Sequence, residues 1–136
     1  MAKSFDATTI SSGQTRATLT ITLTRNAGAA ALTGVAFNDA FPADLLAEDV
    51  LTNTCGAPGS ATVSPTGVQL TGGVIDPLAN STALSRCVIT VRVGATAGAS
   101  GVRTNTLAAG AVTTAEGVSN RTAASANVTL SAAGLA

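Results

Sequence analysis

Along much of this chain, apolar residues recur at every second position among threonines. In Thr18-Leu19-Thr20-Ile21-Thr22-Leu23-Thr24, Leu19, Ile21 and Leu23 share one face and the four threonines take the other. Period-two alternation rich in β-branched residues marks a strand with one side in a core and one in water. The same rule places Cys87, Ile89, Val91 and Val93 on one face of a strand over Leu84–Val93. It aligns Ala124, Ala126, Val128 and Leu130 in a closing strand over Val118–Leu130.

Between these, the pattern predicts a first strand over Lys3–Ile10 turning at Ser11-Ser12-Gly13-Gln14, a second over Thr15–Thr24, and a third over Leu32–Phe41 stopped by Pro42. Short edge strands are expected at Ala61–Ser64 and Gly67–Leu70 around Pro65, which cannot donate to a ladder. Val102–Leu107 and Ala111–Thr114 read as further short strands. Asn26-Ala27-Gly28, Gly56–Gly59, Gly72-Gly73, Asp76-Pro77, Asn80-Ser81 and Gly94–Gly101 supply turns and loops. Only Asp44–Val50 has helix-like content, read as one helical turn or an irregular crossover. About eight short strands without a convincing helix predict an all-β, two-sheet sandwich, with inward alanines giving a thin core. The boundaries are one domain over residues 1–131 and a loose tail at 132–136.

Composition narrows the function. The chain has 136 residues and no His, Trp or Tyr, with 10% charged residues and a net charge of zero. Its arginines (Arg16, Arg25, Arg86, Arg92, Arg103, Arg121) stand singly, so nothing argues for a nucleic-acid partner. No apolar run approaches the roughly 20 residues of a membrane-spanning helix. Met1-Ala2-Lys3 leads straight into strand-like sequence with no signal peptide, so the chain reads as a piece of a longer exported polypeptide. Cys55 and Cys87, an even pair in a Lys-poor, Thr- and Ser-rich chain, predict an oxidising compartment and a disulfide; two buried free thiols are the alternative. Without His there is neither a Ser-His-Asp triad nor a His-ligated metal site, and neither a Gly-x-Ser-x-Gly elbow nor a phosphate loop occurs. No enzyme and no cofactor are expected. Asp44, Glu48 and Asp49 are the one acidic cluster; their spacing matches no calcium loop, so they read as a solvated stretch first and as a weak candidate cation site second. The sequons at Asn80, Asn120 and Asn127 are chance products of a Thr-rich chain.

An ordered set of motifs carries a resemblance. Lys3-Ser4-Phe5, Thr9-Ile10-Ser11-Ser12-Gly13, Leu19–Thr24, Leu32–Asp39 with Phe41-Pro42, Cys87–Val91, Thr104-Asn105-Thr106, Gly110–Thr114, Gly117–Asn120 and Ala124–Leu130 follow one another in order. The chain resembles the immunoglobulin-like "conserved repeat" domain of large bacterial surface and secreted proteins, a family of unassigned function. The resemblance implies an immunoglobulin-like sandwich of about seven to nine antiparallel strands, repeated as a module outside the cell or on its surface. It implies neighbouring repeats as partners and no activity; a host or cell-surface ligand belongs to the alternative binding reading. Arg25-Asn26 and the loop Asn80–Arg86 depart from the family pattern.

One constellation stands apart. Lys3 shares parity with Phe5, Asp39 with Val35, Phe37 and Phe41, and Asn120 with Val118 and Val128 if that last strand is continuous. Burial discharges a lysine and protonates a carboxylate. A neutral amine beside an asparagine amide, polarised by a protonated Asp, is the arrangement for an intramolecular isopeptide bond, and such bonds occur in related surface domains. Asn120 is the expected acceptor and Asn105 its rival. The alternative is that Lys3 frays in solvent while Asp39 caps a turn.

Two functions are then open. One is a structural spacer in an adhesin-like exported protein. The other is a loop-mediated binding module for carbohydrate or a host protein, through Asp44–Asn53 or Asn80–Arg86. Sugar sites commonly stack on Trp or Tyr, and here Phe5, Phe37 and Phe41 all sit at inward positions. Self-assembly through open sheet edges into fibres or surface layers is a third possibility.

Overall fold

In the computed structural model, residues 1–25, 31–57, 59–75 and 85–132 are described. They form ten strands: β1 (Ala2–Phe5), β2 (Thr9–Ser11), β3 (Ala17–Arg25), β4 (Leu32–Ala40), β5 (Leu45–Asn53), β6 (Ala61–Ser64), β7 (Gly67–Ile75), β8 (Ser85–Ala95), β9 (Gly101–Leu107) and β10 (Ala124–Ser131). No helix occurs among the described residues. A four-stranded sheet, ordered β1-β3-β8-β5, faces two three-stranded ladders, β2-β10-β9 and β4-β7-β6. A backbone bridge between Ala36 and Thr113 joins β4 to the segment following β9, with both N–H···O distances 2.9 Å. This is the expected all-β sandwich.

Its centre is the Thr-apolar alternation. β3 pairs antiparallel with β8, setting Leu19 opposite Val91, Ile21 opposite Ile89 and Leu23 opposite Cys87. All six are buried. Residues on one face of a pleated pair are in contact, and fully burying each large aliphatic side chain is worth about 1.5–3 kcal/mol. The opposite face stays polar, and Thr52 and Thr90 share a hydroxyl hydrogen bond of 2.6 Å across β5 and β8.

Several elements depart from expectation. The stretch Lys3–Ile10 is two strands in different layers. After β1, Asp6 both donates its N–H to the Thr18 carbonyl (3.1 Å) and accepts the Thr18 N–H on Oδ1 (2.7 Å). The chain then crosses the sandwich, and β2 pairs parallel with β10. Asp44–Val50 is not helical: Leu45–Val50 lies in β5, which is bulged where it pairs with β8 between Ala47 and Asp49 and again between Val50 and Thr52. Each bulge breaks strict alternation, which is why the segment reads as helical. β7 runs on through Gly72-Gly73 to Ile75. Ala111–Thr114 contributes only the isolated bridge, and the closing strand begins at Ala124 rather than Val118. The turns expected at Asn26-Ala27-Gly28, Asp76-Pro77 and Asn80-Ser81, most of the loop Asn80–Arg86, and all of the tail beyond Ala132 lie outside the described residues.

Cys55, just beyond β5, and Cys87 in β8 form a disulfide with Cα atoms 4.9 Å apart and both residues buried. Asn53 Oδ1 accepts the Cys55 N–H at 2.8 Å, shaping the turn that presents the sulfur. For a sequence separation of 32 residues, the chain-entropy model gives about 3–4 kcal/mol of stabilisation. Cys55→Ala/Cys87→Ala should therefore lower the denaturant midpoint by that equivalent while preserving the strand-type circular dichroism spectrum; an unchanged midpoint would contradict it.

Candidate functional site

Three buried polar side chains come together where the two layers meet, one from the four-stranded sheet and one from each three-stranded ladder. Lys3 lies on β1 opposite Ile21, and strand alternation turns Ala2 and Ser4 outward and Lys3 inward. Asp39 is on β4, opposite Val68, and continues the inward series Val35 and Phe37. Asn105 is on β9, opposite Ala126 of β10, and shares its inward face with Leu107. Asp39 and Asn105 are 0% exposed, and the Lys3 side chain is equally closed to solvent.

The Lys3 side-chain nitrogen joins all three. Lys3 Nζ lies 2.6 Å from Asp39 Oδ2 and also donates to Asn105 Oδ1. Two atoms of the cluster, Asp39 Oδ1 and Asn105 Nδ2, have no hydrogen-bond partner. Leaving a buried polar atom unpaired costs about 1–3 kcal/mol, so a cluster with two such atoms is not one arranged for stability alone. Burial lowers the Lys3 pKa, against the opposing hydrogen bond and charge of Asp39. Burial likewise raises that of Asp39, against the hydrogen bond and charge of Lys3 and a weaker effect of the Asn105 amide, which is near but outside hydrogen-bonding geometry. Both shifts favour the neutral pair, an amine facing a carboxylic acid.

Asn120 is not part of this cluster. It lies between β9 and β10, in a loop where strand parity does not hold. There its Oδ1 accepts the Val112 N–H, and its Nδ2 donates to the Ala108 and Thr122 carbonyls, each at 2.9 Å. All of these bonds organise the loop. The signal for Asn105 was present in the sequence, since it shares parity with Leu107 within one short strand. Asn127 is exposed and accepts the Thr104 hydroxyl at 2.7 Å.

The acidic cluster is divided among different arginines. Asp44 Oδ2 is 2.9 Å from Arg103 Nη2 and its Oδ1 accepts the Thr96 hydroxyl at 2.8 Å. Glu48 pairs with Arg16 at 2.5 Å, and Asp49 with Arg92 at 3.6 Å. No group of three metal-ligating side chains occurs among the described residues. Asp44 also has a positive φ of 72°, a left-handed conformation that Asp tolerates better than most residues.

Comparison with known proteins places the chain. The profile described as a domain of unknown function, DUF7933, matches residues 1–130. The chain belongs to the DUF7933 family. Among curated proteins nothing matches it. A solved structure titled as a non-cellulosomal cohesin from the hyperthermophilic archaeon Archaeoglobus fulgidus shares the fold with a TM-score of 0.57 and 14% identity, over 96% of this chain and 91% of that one. The DUF7933 domain is thus a cohesin-like, immunoglobulin-like β-sandwich, and the likeness extends to fold alone.

Two tests follow from these contacts. The Asp44 carboxyl is held below its ordinary 3.8 by hydrogen bonds from Arg103 and Thr96. Glu116 is held below 4.5 by hydrogen bonds from the Thr33 hydroxyl and backbone N–H. In acid the unfolded chain binds these protons first, so the stabilisation is complete above the ordinary values and fades as pH falls toward the folded ones. The double variant Asp44→Asn/Glu116→Gln should lose less of its urea midpoint than the parent between pH 5 and pH 3; parallel acid limbs would contradict this. Gly67 lies beside Asp39 across the β4–β7 ladder, and a Cβ there would stand 2.3 Å from the Asp39 carbonyl oxygen. Gly67→Ala must therefore push β4 away from β7, and a thermal midpoint equal to the parent's would show that no such displacement is needed.

Proposed function

We propose that this DUF7933 domain is a non-catalytic structural module of a large exported bacterial adhesin-like surface protein, a spacer set among neighbouring domains of its kind. On this reading it resists extension and proteolysis through the Cys55–Cys87 disulfide and an intramolecular isopeptide bond from Lys3. One observation carries the reading: the strand nearest the N-terminus sends its buried lysine across the sandwich to Asp39 and to Asn105 in the penultimate strand. A tie between chain ends serves a domain under tension and is of little use to a reaction centre. The resemblance to conserved-repeat domains of surface proteins supports the same setting.

Docking of a protein partner is the second reading, supported by the cohesin-like fold. Carbohydrate recognition by this domain would have to proceed without Trp or Tyr.

An array of glycans and host extracellular proteins probed with the domain separates these readings. The spacer predicts no specific, saturable hit, together with survival of the oxidised domain under a protease dose that degrades the reduced, unlinked chain. A saturable hit would move the function to binding.

A further inference from the structure

The buried cluster has the parts of a reaction, and its two unpartnered atoms are those the reaction would use. We infer that Lys3 Nζ and Asn105 Cγ become joined by an isopeptide bond catalysed by Asp39, so that residues 3–105 form one covalently closed unit and force can draw out only the chain beyond it. This rests on the structural-module reading and assigns its acceptor, its catalyst and its mechanical consequence.

Lys3 Nζ contacts both Asp39 Oδ2 and Asn105 Oδ1, so the nucleophile, the acid–base group and the amide to be attacked already touch. Holding reactants in such a geometry replaces a bimolecular encounter with a unimolecular step. The attack requires the proton shared by the pair to sit on Asp39 and Lys3 to be a free amine, the direction in which burial shifts both groups. Nζ attacks Asn105 Cγ and forms the new C–N bond. Asp39 polarises the carbonyl, gives its proton to Nδ2 and takes one from Nζ. The Cγ–Nδ2 bond breaks and Nδ2 leaves as ammonia. One amine and one amide become one secondary amide and one ammonia, with Asp39 returned to its starting acid form, and no oxidant or cofactor is required. The reaction removes Asn105 Nδ2, an atom the folded cluster leaves unpaired, and turns Lys3 from a group that burial disfavours when charged into a neutral amide.

The topology fixes what the bond would do. The disulfide between Cys55 and Cys87 lies inside the segment it closes. Load entering at the N-terminus passes from β1 through the side-chain bond into β9, bypassing β2 to β8. The stretch from Thr106 to Ser131 stays outside, with β10 held by backbone pairing to β9 and β2. Drawing out that stretch releases roughly 90 Å of chain, against roughly 350 Å for an unlinked domain whose disulfide is intact.

Intact mass under denaturing, non-reducing conditions is the first measurement. The inference requires loss of one ammonia beyond the two hydrogens of the disulfide, with tandem mass spectrometry locating the bond between Lys3 and Asn105. Full mass in folded protein overturns it, and so does a bond to any other residue. Asn105→Asp should lose water in place of ammonia. Asp39→Asn and Asp39→Ser, whichever keeps the strand-type circular dichroism spectrum, should retain the full ammonia; a folded variant that still loses it overturns the role of Asp39. In single-molecule extension the linked domain should give the short release, and a long release from protein of linked mass overturns the load path. A linked domain with a specific array hit would lose the spacer reading and keep the bond. An unlinked domain with no hit would do the reverse.

Discussion

The contact on which this architecture turns is the meeting of Lys3, Asp39 and Asn105 between its layers. β1 belongs to the four-stranded sheet, Asp39 to the β4-β7-β6 ladder and Asn105 to the β2-β10-β9 ladder. Elsewhere the facing sheets meet mainly through apolar packing, which is strong but indifferent to register, with polar links at the margins such as Arg103 to Asp44 and the Ala47 N–H to the Pro65 carbonyl. A buried lysine is not indifferent. It has one acceptable position, beside the Asp39 carboxyl and the Asn105 amide, and so fixes where β1 lies relative to β4 and β9.

Stability and chemistry pull in different directions at that point. Charged, the Lys3–Asp39 pair gains little over an apolar pair of equal volume, because desolvation consumes most of the Coulombic attraction, and burial shifts both groups toward their neutral forms. Here two further polar atoms go unpaired, which adds to the cost. The surrounding core makes the arrangement tolerable: Leu19, Ile21, Ile89 and Val91 are fully buried, as are Val35, Leu70 and Val128 in the facing ladders. The Cys55–Cys87 disulfide secures the edge where β5 leaves its sheet. Such a frame can hold an under-bonded polar constellation in place, and reactive groups are found in settings of that kind.

Much of this was legible from residue order. The face of Leu19, Ile21 and Leu23 and that of Cys87, Ile89, Val91 and Val93 pair as alternation dictates, because both strands run without interruption through the middle of a sheet. Lys3 and Asp39 were found by the same parity rule. The rule failed wherever a strand was assumed to continue. Extending the closing strand back to Val118 gave Asn120 an inward address, whereas residues 118–123 form a loop in which Asn120 bonds to backbone. β5 was hidden by two bulges, and the division of Lys3–Ile10 by a crossover that depends on Asp6 meeting Thr18, a contact distant in sequence. Local patterning reports the face of a side chain; it is silent on where a neighbouring strand ends.

Lys3 is the sole lysine of the chain, which allows its side-chain nitrogen to be observed alone. Nitrogen-15 labelling at lysine Nζ, read by heteronuclear NMR on the folded domain, tests the buried cluster most directly. The account predicts a single amide-type resonance that exchanges slowly with solvent and shows contacts to the side chains of Asp39 and Asn105. A rapidly exchanging ammonium-type signal without those contacts would contradict it.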